Sequence, residues 1–373
     1  MTKNLHIVSF DVPFPANYGG VIDVFYKIKA LHKLGVKIWL HTYEYGRGKQ
    51  DELLKYCEKI TYYKRSKSPL NLLSRKPFIV KSRRDSNLIK NLKKDNNPIL
   101  FEGLHTTYPL IDFDFKDRIV LIRSHNIEHK YYDGLAKSTN SISRKSFFKQ
   151  EARKLKHYEK IVKKANYILT ISPFEQHYFT KKYGSMAKYI PVFHKNEAIV
   201  KLSDTGKFAL YHGDLRVSDN EKAACFLIDV FKKSDVPLTI ASSYSNAEVE
   251  TKIKEHSNIK FVFLNTKNNQ QLDTLFTNAH INVLPTFQKT GIKLKLIHAL
   301  FQSRFCVVNS AMVIDTGLES LCEIADTPND FLKAVSSCFT KNYDASEMDK
   351  RKQILKPFNT LENAKKIVEL CCL

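Results

Sequence analysis

The sequence predicts an α/β protein: two Rossmann-like, doubly wound parallel-sheet domains facing across a cleft. Three observations point there. Short apolar runs alternate with stretches of helical periodicity, the alternation starts afresh near residue 207, and a polar, aperiodic stretch lies between the two series. A chain of 373 residues is long enough for two ordinary domains.

The first series opens on the apolar run Leu5–Phe10, a predicted strand that ends in the Pro- and Gly-rich turn Asp11–Gly20. Val24, Phe25, Ile28, Leu31 and Leu34 then recur at helical spacing, so Val21–Leu34 reads as a helix that Gly35 ends. Val36–Tyr43, Ile99–Glu102, Ile119–Ser124 and Tyr167–Ser172 read as further strands, and a long basic helix is expected from about Ser143 to Lys164. In the second series Phe208–His212, Pro237–Ser242, Ile259–Leu264, Ile281–Leu284 and Cys306–Asn309 predict strands, with a first helix across Asn220–Lys232. Lys195–Gly206 is the predicted linker. This gives an N-terminal domain over 1–200, a C-terminal domain over 207–345 and a helical tail over 346–373, whose last helix, Leu361–Leu370, can pack back on the N-terminal domain. In such folds ligands bind at the carboxyl ends of the strands.

Composition narrows the class. With 43% hydrophobic and 26% charged residues the chain is globular, and no apolar run approaches the length needed to span a bilayer. The seven cysteines form no C-x-x-C pair, so they read as reduced core or tail residues of a cytoplasmic protein. The net charge of +22 is concentrated in the first half: residues 1–200 hold 38 Lys and Arg against 18 Asp and Glu, whereas the rest hold 22 against 20. The N-terminal half therefore expects a polyanionic partner.

Lys64–Arg84 carries eight cations and no acid, with Leu70, Leu72, Leu73, Phe78, Ile79 and Val80 expected as exposed apolar insertions, and Arg144–Lys164 adds nine cations against Glu151 and Glu159. Cations flanking exposed apolar side chains suit an anionic membrane surface. No helix-turn-helix, zinc or RNA-binding signature accompanies the charge, so nucleic acid is the weaker reading. The expected location is the inner face of the cytoplasmic membrane.

The segment Leu284–Val308 carries the clearest chemistry. A strand ends at Pro285, a loop reaches Gly291, and a helix begins whose free N–H groups at Gly291 and Ile292 form an anion site beside Lys289, Lys293 and Lys295. That arrangement suits a diphosphate; the alternative is a glycine turn with solvated lysines. Asp112–Phe113–Asp114 precedes a strand instead of ending one, so it reads as a solvated loop, and no metal or other cofactor is expected.

These segments resemble the retaining glycosyltransferases with the two-Rossmann (GT-B) fold, in particular glycosyltransferase family 4, the "group 1" family. Gly291, the Lys293–Lys295 pair, Ala299 and Cys306–Val308 match its donor-binding frame; Asp11–Gly20 is similar to its glycine-rich loop and Arg123–Glu128 to its His-Asn-x-Glu turn. Ile171–Tyr183 with Tyr189–Val192 is similar to the helix and strand closing its N-terminal domain, and Phe208–Asn220 to the start of its C-terminal domain. The resemblance implies transfer of a hexose-type sugar from a nucleotide-sugar to a glycan, lipid-linked or glycoprotein acceptor in envelope polysaccharide or lipopolysaccharide synthesis, with retention. It implies catalytic roles for His125, Asn126 and Glu128. Donor binding would fall on Gly19, Gly20, Gly213, Arg216, Lys289, Thr290, Gly291, Ile292, Lys293, Lys295 and His298, and acceptor binding on Asp11, Asn17 and Asp23.

The sequence also departs from the family. Its paired glutamates fall on Thr290 and His298, its diphosphate Arg and Lys on Asp214 and Asn220, and the arginine after its Gly-Gly on Asp23. The alternative is therefore a non-catalytic GT-B scaffold or partner subunit.

Overall fold

A computed structural model describes residues 3–139, 141–265, 270–287, 293–314 and 316–373. Two units emerge: residues 1–195 together with 358–373, and residues 196–357.

In the first unit the described strands are β1 (Asn4–Ser9), β2 (Lys37–Glu44), β3 (Lys59–Lys64), β4 (Ile99–Glu102), β5 (Val120–Ser124), β6 (Tyr167–Thr170) and β7 (Ala187–Tyr189), all parallel and ordered β3-β2-β1-β4-β5-β6-β7. Strand residues alternate between two cores, because successive side chains leave opposite faces. Leu5 and Ile7 pack with Val24, Ile28 and Leu40 on one face, and Val8 packs with Phe101, Ile122 and Leu88 on the other. The order reverses direction between β1 and β4, which leaves a crevice at their carboxyl ends.

The second unit repeats the plan with β8 (Phe208–His212), β9 (Leu238–Ser242), β10 (Ile259–Phe263), β11 (Ala279–Leu284), β12 (Phe305–Val308) and β13 (Glu323–Ile324), ordered β10-β9-β8-β11-β12-β13 and parallel throughout. Its switch point lies between β8 and β11. Both units are Rossmann-like, each a parallel sheet with one switch point.

Three expectations change. The predicted linker is mostly exposed but is bonded to the second unit: Arg304 donates to the Ser203 carbonyl and hydroxyl, Val200 N–H to the Phe301 carbonyl, and Gly206 N–H to His280. The tail divides: helix Ala345–Leu355 belongs to the second unit, with Arg351 bonded to the Ser303 and Arg304 carbonyls, whereas helix Thr360–Leu370 puts Ala364, Ile367 and Val368 into the first unit's core. Lastly, Ile79 and Val80 are core residues, 6% and 0% exposed, in the short helix Phe78–Lys81; Phe78 is half-buried and the three leucines are on the surface.

Candidate functional site

In the first unit, the carboxyl ends of β1, β4 and β5 bring together Asp11, Glu102, His105, His125 and Glu128. The helix Gly19–Lys33 covers them and turns Asp23 and Lys27, one turn apart, toward the sheet on its buried face. Gly20 permits the close approach: a Cβ there would lie 2.7 Å from the Phe10 ring.

A buried ionic network results. Lys27 Nζ donates to Asp23 Oδ2 at 2.9 Å and to Glu102 Oε1 at 2.7 Å. Arg123 Nε and Nη2 donate to the two Asp23 oxygens at 3.1 and 2.7 Å, and Phe193 N–H adds a bond to Asp23 Oδ1 at 2.8 Å. The remaining Arg123 donors reach the Ile190 and Pro191 carbonyls. His125 Nε2 lies 2.9 Å from Glu102 Oε2 and its Nδ1 4.0 Å from Asp23 Oδ2. Two carboxylates and two cations balance in an interior where uncompensated charge would be very costly. Burial alone pushes the Asp23 and Glu102 carboxyls upward, but Arg123 and Lys27 outweigh it for Asp23, and Lys27 and His125 for Glu102, so both stay ionised. Asp23, Glu102 and His125 place ligand atoms within 4.8 Å of one another. The Lys27 ammonium touches both carboxylates.

Asp23 is thereby corrected from an acceptor contact to an interior bridge, 1% exposed. Asp11 is likewise occupied: its carboxylate accepts from Val12 N–H and the Tyr18 hydroxyl, both at 2.9 Å. Asn17 is exposed and accepts from Arg47 at 3.0 Å, while Gly19 and Gly20 open the helix, whose N-cap Tyr18 supplies no side-chain cap. His125, Asn126 and Glu128 sit together at the β5 end, with His125 edge-on to the Phe10 ring.

Glu102, Lys27 and His105 were missed by sequence reasoning. Two of them left a trace: Asp23 and Lys27 are an i,i+4 ion pair within an apolar helical stripe, and Glu102 ends an otherwise apolar strand. His105 left none.

In the second unit, Gly213 and Asp214 follow β8, Thr286 and Phe287 follow β11, and Lys293 and Lys295 begin the helix Leu294–Gln302. Asp219 ties the two strand ends together, accepting from the Thr286 hydroxyl at 2.8 Å and Phe287 N–H at 2.9 Å. Lys295 Nζ donates to Asn220 Oδ1 at 2.7 Å and lies 5.1 Å from the Tyr211 ring centroid. Burial lowers both lysines, Lys295 to about 8, with Lys293 adding to the fall and Asp219 opposing it. Two half-buried ammonium groups at the carboxyl edge of a switch point are an arrangement that suits an anion.

The other donor residues divide. Arg216 is corrected from a phosphate ligand to a partner of Asp214, with Nη2 2.7 Å from Oδ2 and its guanidinium 3.3 Å from the Tyr244 ring centroid. His298 Nδ1 lies 2.9 Å from Asn196 Oδ1, and the ring packs on Phe276. Lys289, Thr290, Gly291 and Ile292 lie outside the described residues.

The basic face of the first unit has an open groove of ≈ 510 Å³, with Arg75, Lys76, Lys154 and Lys160 around a floor that includes Ile111 and Tyr158. Beside it Leu70, Leu72 and Leu73 are 71%, 41% and 83% exposed, and Lys154 Nζ holds their segment through the Leu72 carbonyl at 2.9 Å. Among the described residues, no helix is long and apolar enough to cross a membrane.

No family model matches the chain. It is similar, at 26% identity over 328 residues (83% of this chain and 84% of the other), to an uncharacterised 44.6 kDa protein in the cps region of Klebsiella pneumoniae. In fold it is similar to the lipopolysaccharide outer core galactosyltransferase WaaB, with a TM-score of 0.66 at 11% identity over 98% of this chain and 99% of that one. It is also similar to TarM of S. aureus, with a TM-score of 0.67 at 12% identity, and to HepE of Anabaena in complex with UDP and glucose, with a TM-score of 0.62 at 11% identity; each likeness covers 99% of both chains.

Proposed function

We propose that this chain is a glycosyltransferase that moves a hexose-type sugar from a nucleotide-sugar to a glycan or lipid-linked acceptor in cell-envelope polysaccharide synthesis, with retention and without a metal ion. The observation that carries this reading is the half-buried Lys293–Lys295 pair at the β8/β11 switch point of a GT-B fold. There a diphosphate would find two cations whose desolvation is already part of the fold. Lys295, held by Asn220, would bring from the helix Leu294–Gln302 the charge that the β8 loop lacks, since Arg216 is engaged by Asp214. The first unit would hold the acceptor and meet the membrane through Leu70, Leu73 and the cationic groove. The gene-region context of the Klebsiella relative supports the polysaccharide setting.

Thermal unfolding with UDP, GDP and their sugars tests the donor. A nucleotide held at a hundred times its Kd adds about 2.7 kcal/mol to the unit that binds it. No shift with any of them ends the donor claim. The engagement of Arg216 by Asp214 favours one second reading, a GT-B scaffold that has lost its donor site. On that reading Lys295→Ala leaves cellular glycan unchanged.

A further inference from the structure

His105 and Glu128 stand at the same strand ends as His125 but belong to no pair described above. Gly103 places His105. It has φ 70° and ψ 166°, a region open essentially to glycine alone, and a Cβ there would lie 2.7 Å from His105 Nδ1. The imidazole thus folds back over its own strand end, toward the Phe10 ring at 5.4 Å. Its Nδ1 is buried without a hydrogen-bond partner, and so is Oε1 of Glu128, a residue only 3% exposed. The two atoms face each other at 3.9 Å, about 1 Å beyond a hydrogen bond. The His105 side chain is nevertheless 22% exposed, so with Nδ1 turned inward the opposite edge of the ring, which carries Nε2, meets solvent.

His125 is placed differently: its Nε2 is bonded to Glu102, and its Nδ1 lies 4.0 Å from Asp23 Oδ2. His105 is therefore a histidine of this site with a nitrogen to offer a ligand.

We propose that His105 is a substrate-contacting residue of the first unit, binding a neutral hydroxyl through Nε2, and that Glu128 beneath it is the positioning residue that fixes its tautomer. Only the identity of the hydroxyl, that of a sugar acceptor, rests on the transferase reading above.

Burial pushes Glu128 up to about 8, with Arg83 offsetting part of the rise, and burial, Arg83 and the neighbouring His125 hold His105 well below the usual histidine range. Around neutral pH the pair then holds one shared proton. Once the 3.9 Å gap closes by about 1 Å, the acid donates to Nδ1 and Nε2–H points outward. Above about pH 8 the acid is ionised, Nδ1–H donates to it, and Nε2 becomes an acceptor. Arg83, Arg65, His125, Tyr131 and Tyr132 are the other titratable groups acting on this pair.

Long-range proton–nitrogen spectra of the full chain, labelled in histidine nitrogen and assigned with His105→Gln, test the pair directly. The expected wild-type result is no protonation of His105 through pH 6.5 and a change of tautomer near pH 8. In the isosteric Glu128→Gln variant that change disappears. Methyl glycosides of glucose, galactose, mannose and N-acetylglucosamine are the hydroxyl probes. At least one should move the His105 Nε2 resonance, and His105→Gln should weaken its binding about tenfold, the equivalent of about 1.4 kcal/mol. An ordinary titration near 6.5 in both proteins overturns the pairing. Glycosides that leave Nε2 unmoved overturn the contact. Neither readout involves a nucleotide, so a failed donor titration is a separate result.

Discussion

Arg123 grips Asp23 with two donors, at 3.1 and 2.7 Å, between residues that are 0% and 1% exposed. The pair joins β5 to the helix Gly19–Lys33, and through Lys27 it extends to β4. Removing one partner leaves a charge buried and unmatched, which costs about 3–5 kcal/mol. Asp23→Ala should therefore lower the urea midpoint of the first unit sharply, and Asp23→Asn by somewhat less. A surface substitution such as Lys67→Ala should leave it unchanged.

Acid should act through the same residue. Asp23 has its folded pKa held below the unfolded value of about 3.9, so its stabilisation is fully present above that value and is lost as pH falls below it. The wild-type unfolding free energy should drop below about pH 4, and Asp23→Asn should show a shallower drop. Equal slopes would mean that Asp23 is not the group responsible.

Lys295 should behave in the opposite sense. Its folded pKa, about 8, lies below the ordinary lysine value, so the folded state disfavours its charge. That penalty is complete below about pH 8 and is relieved as pH rises toward 10.5. Lys295→Met should be neutral or stabilising at pH 7 and should abolish the nucleotide-induced thermal shift. Nucleotide affinity, measured by calorimetry, should fall as pH rises past about 8 in the wild type.

Gly103→Ala should cost about 1–3 kcal/mol, because an L side chain is strained at φ 70° and its Cβ would displace His105. The circular dichroism melt reports the loss. Gly134→Ala, at a helical glycine with open space around it, should do no harm.

Leu70→Ser combined with Leu73→Ser should weaken sedimentation with phosphatidylglycerol vesicles by about tenfold or more, since each leucine that enters the bilayer contributes about 1.5–3 kcal/mol. Stability should not change, because both side chains are already in water. Equal sedimentation of variant and wild type would remove these leucines from the membrane surface.

Apolar alternation made the sheets legible: β4 and β8 fall on the predicted residues, and most other strands differ by one or two at their ends. β3 was not, because Lys59–Lys64 is a half-exposed edge strand of tyrosines between lysines, with only Tyr63 buried. In the site, His125 and Glu128 could be placed from their position after an apolar strand. Glu102, Lys27 and Arg123 act together only because three elements converge, and no local pattern encodes that convergence. His105 follows from a glycine backbone angle that sequence spacing does not reveal.

The helix Thr360–Leu370 completes a core that begins at Leu5. During synthesis, the second unit is therefore whole before the first is. Until its last residues leave the ribosome, the first unit must wait with Val24, Ile28 and their neighbours incompletely covered. Residues 1–195 produced alone should bind holdase chaperones and aggregate, and supplying 358–373 in trans or as a fusion should rescue them.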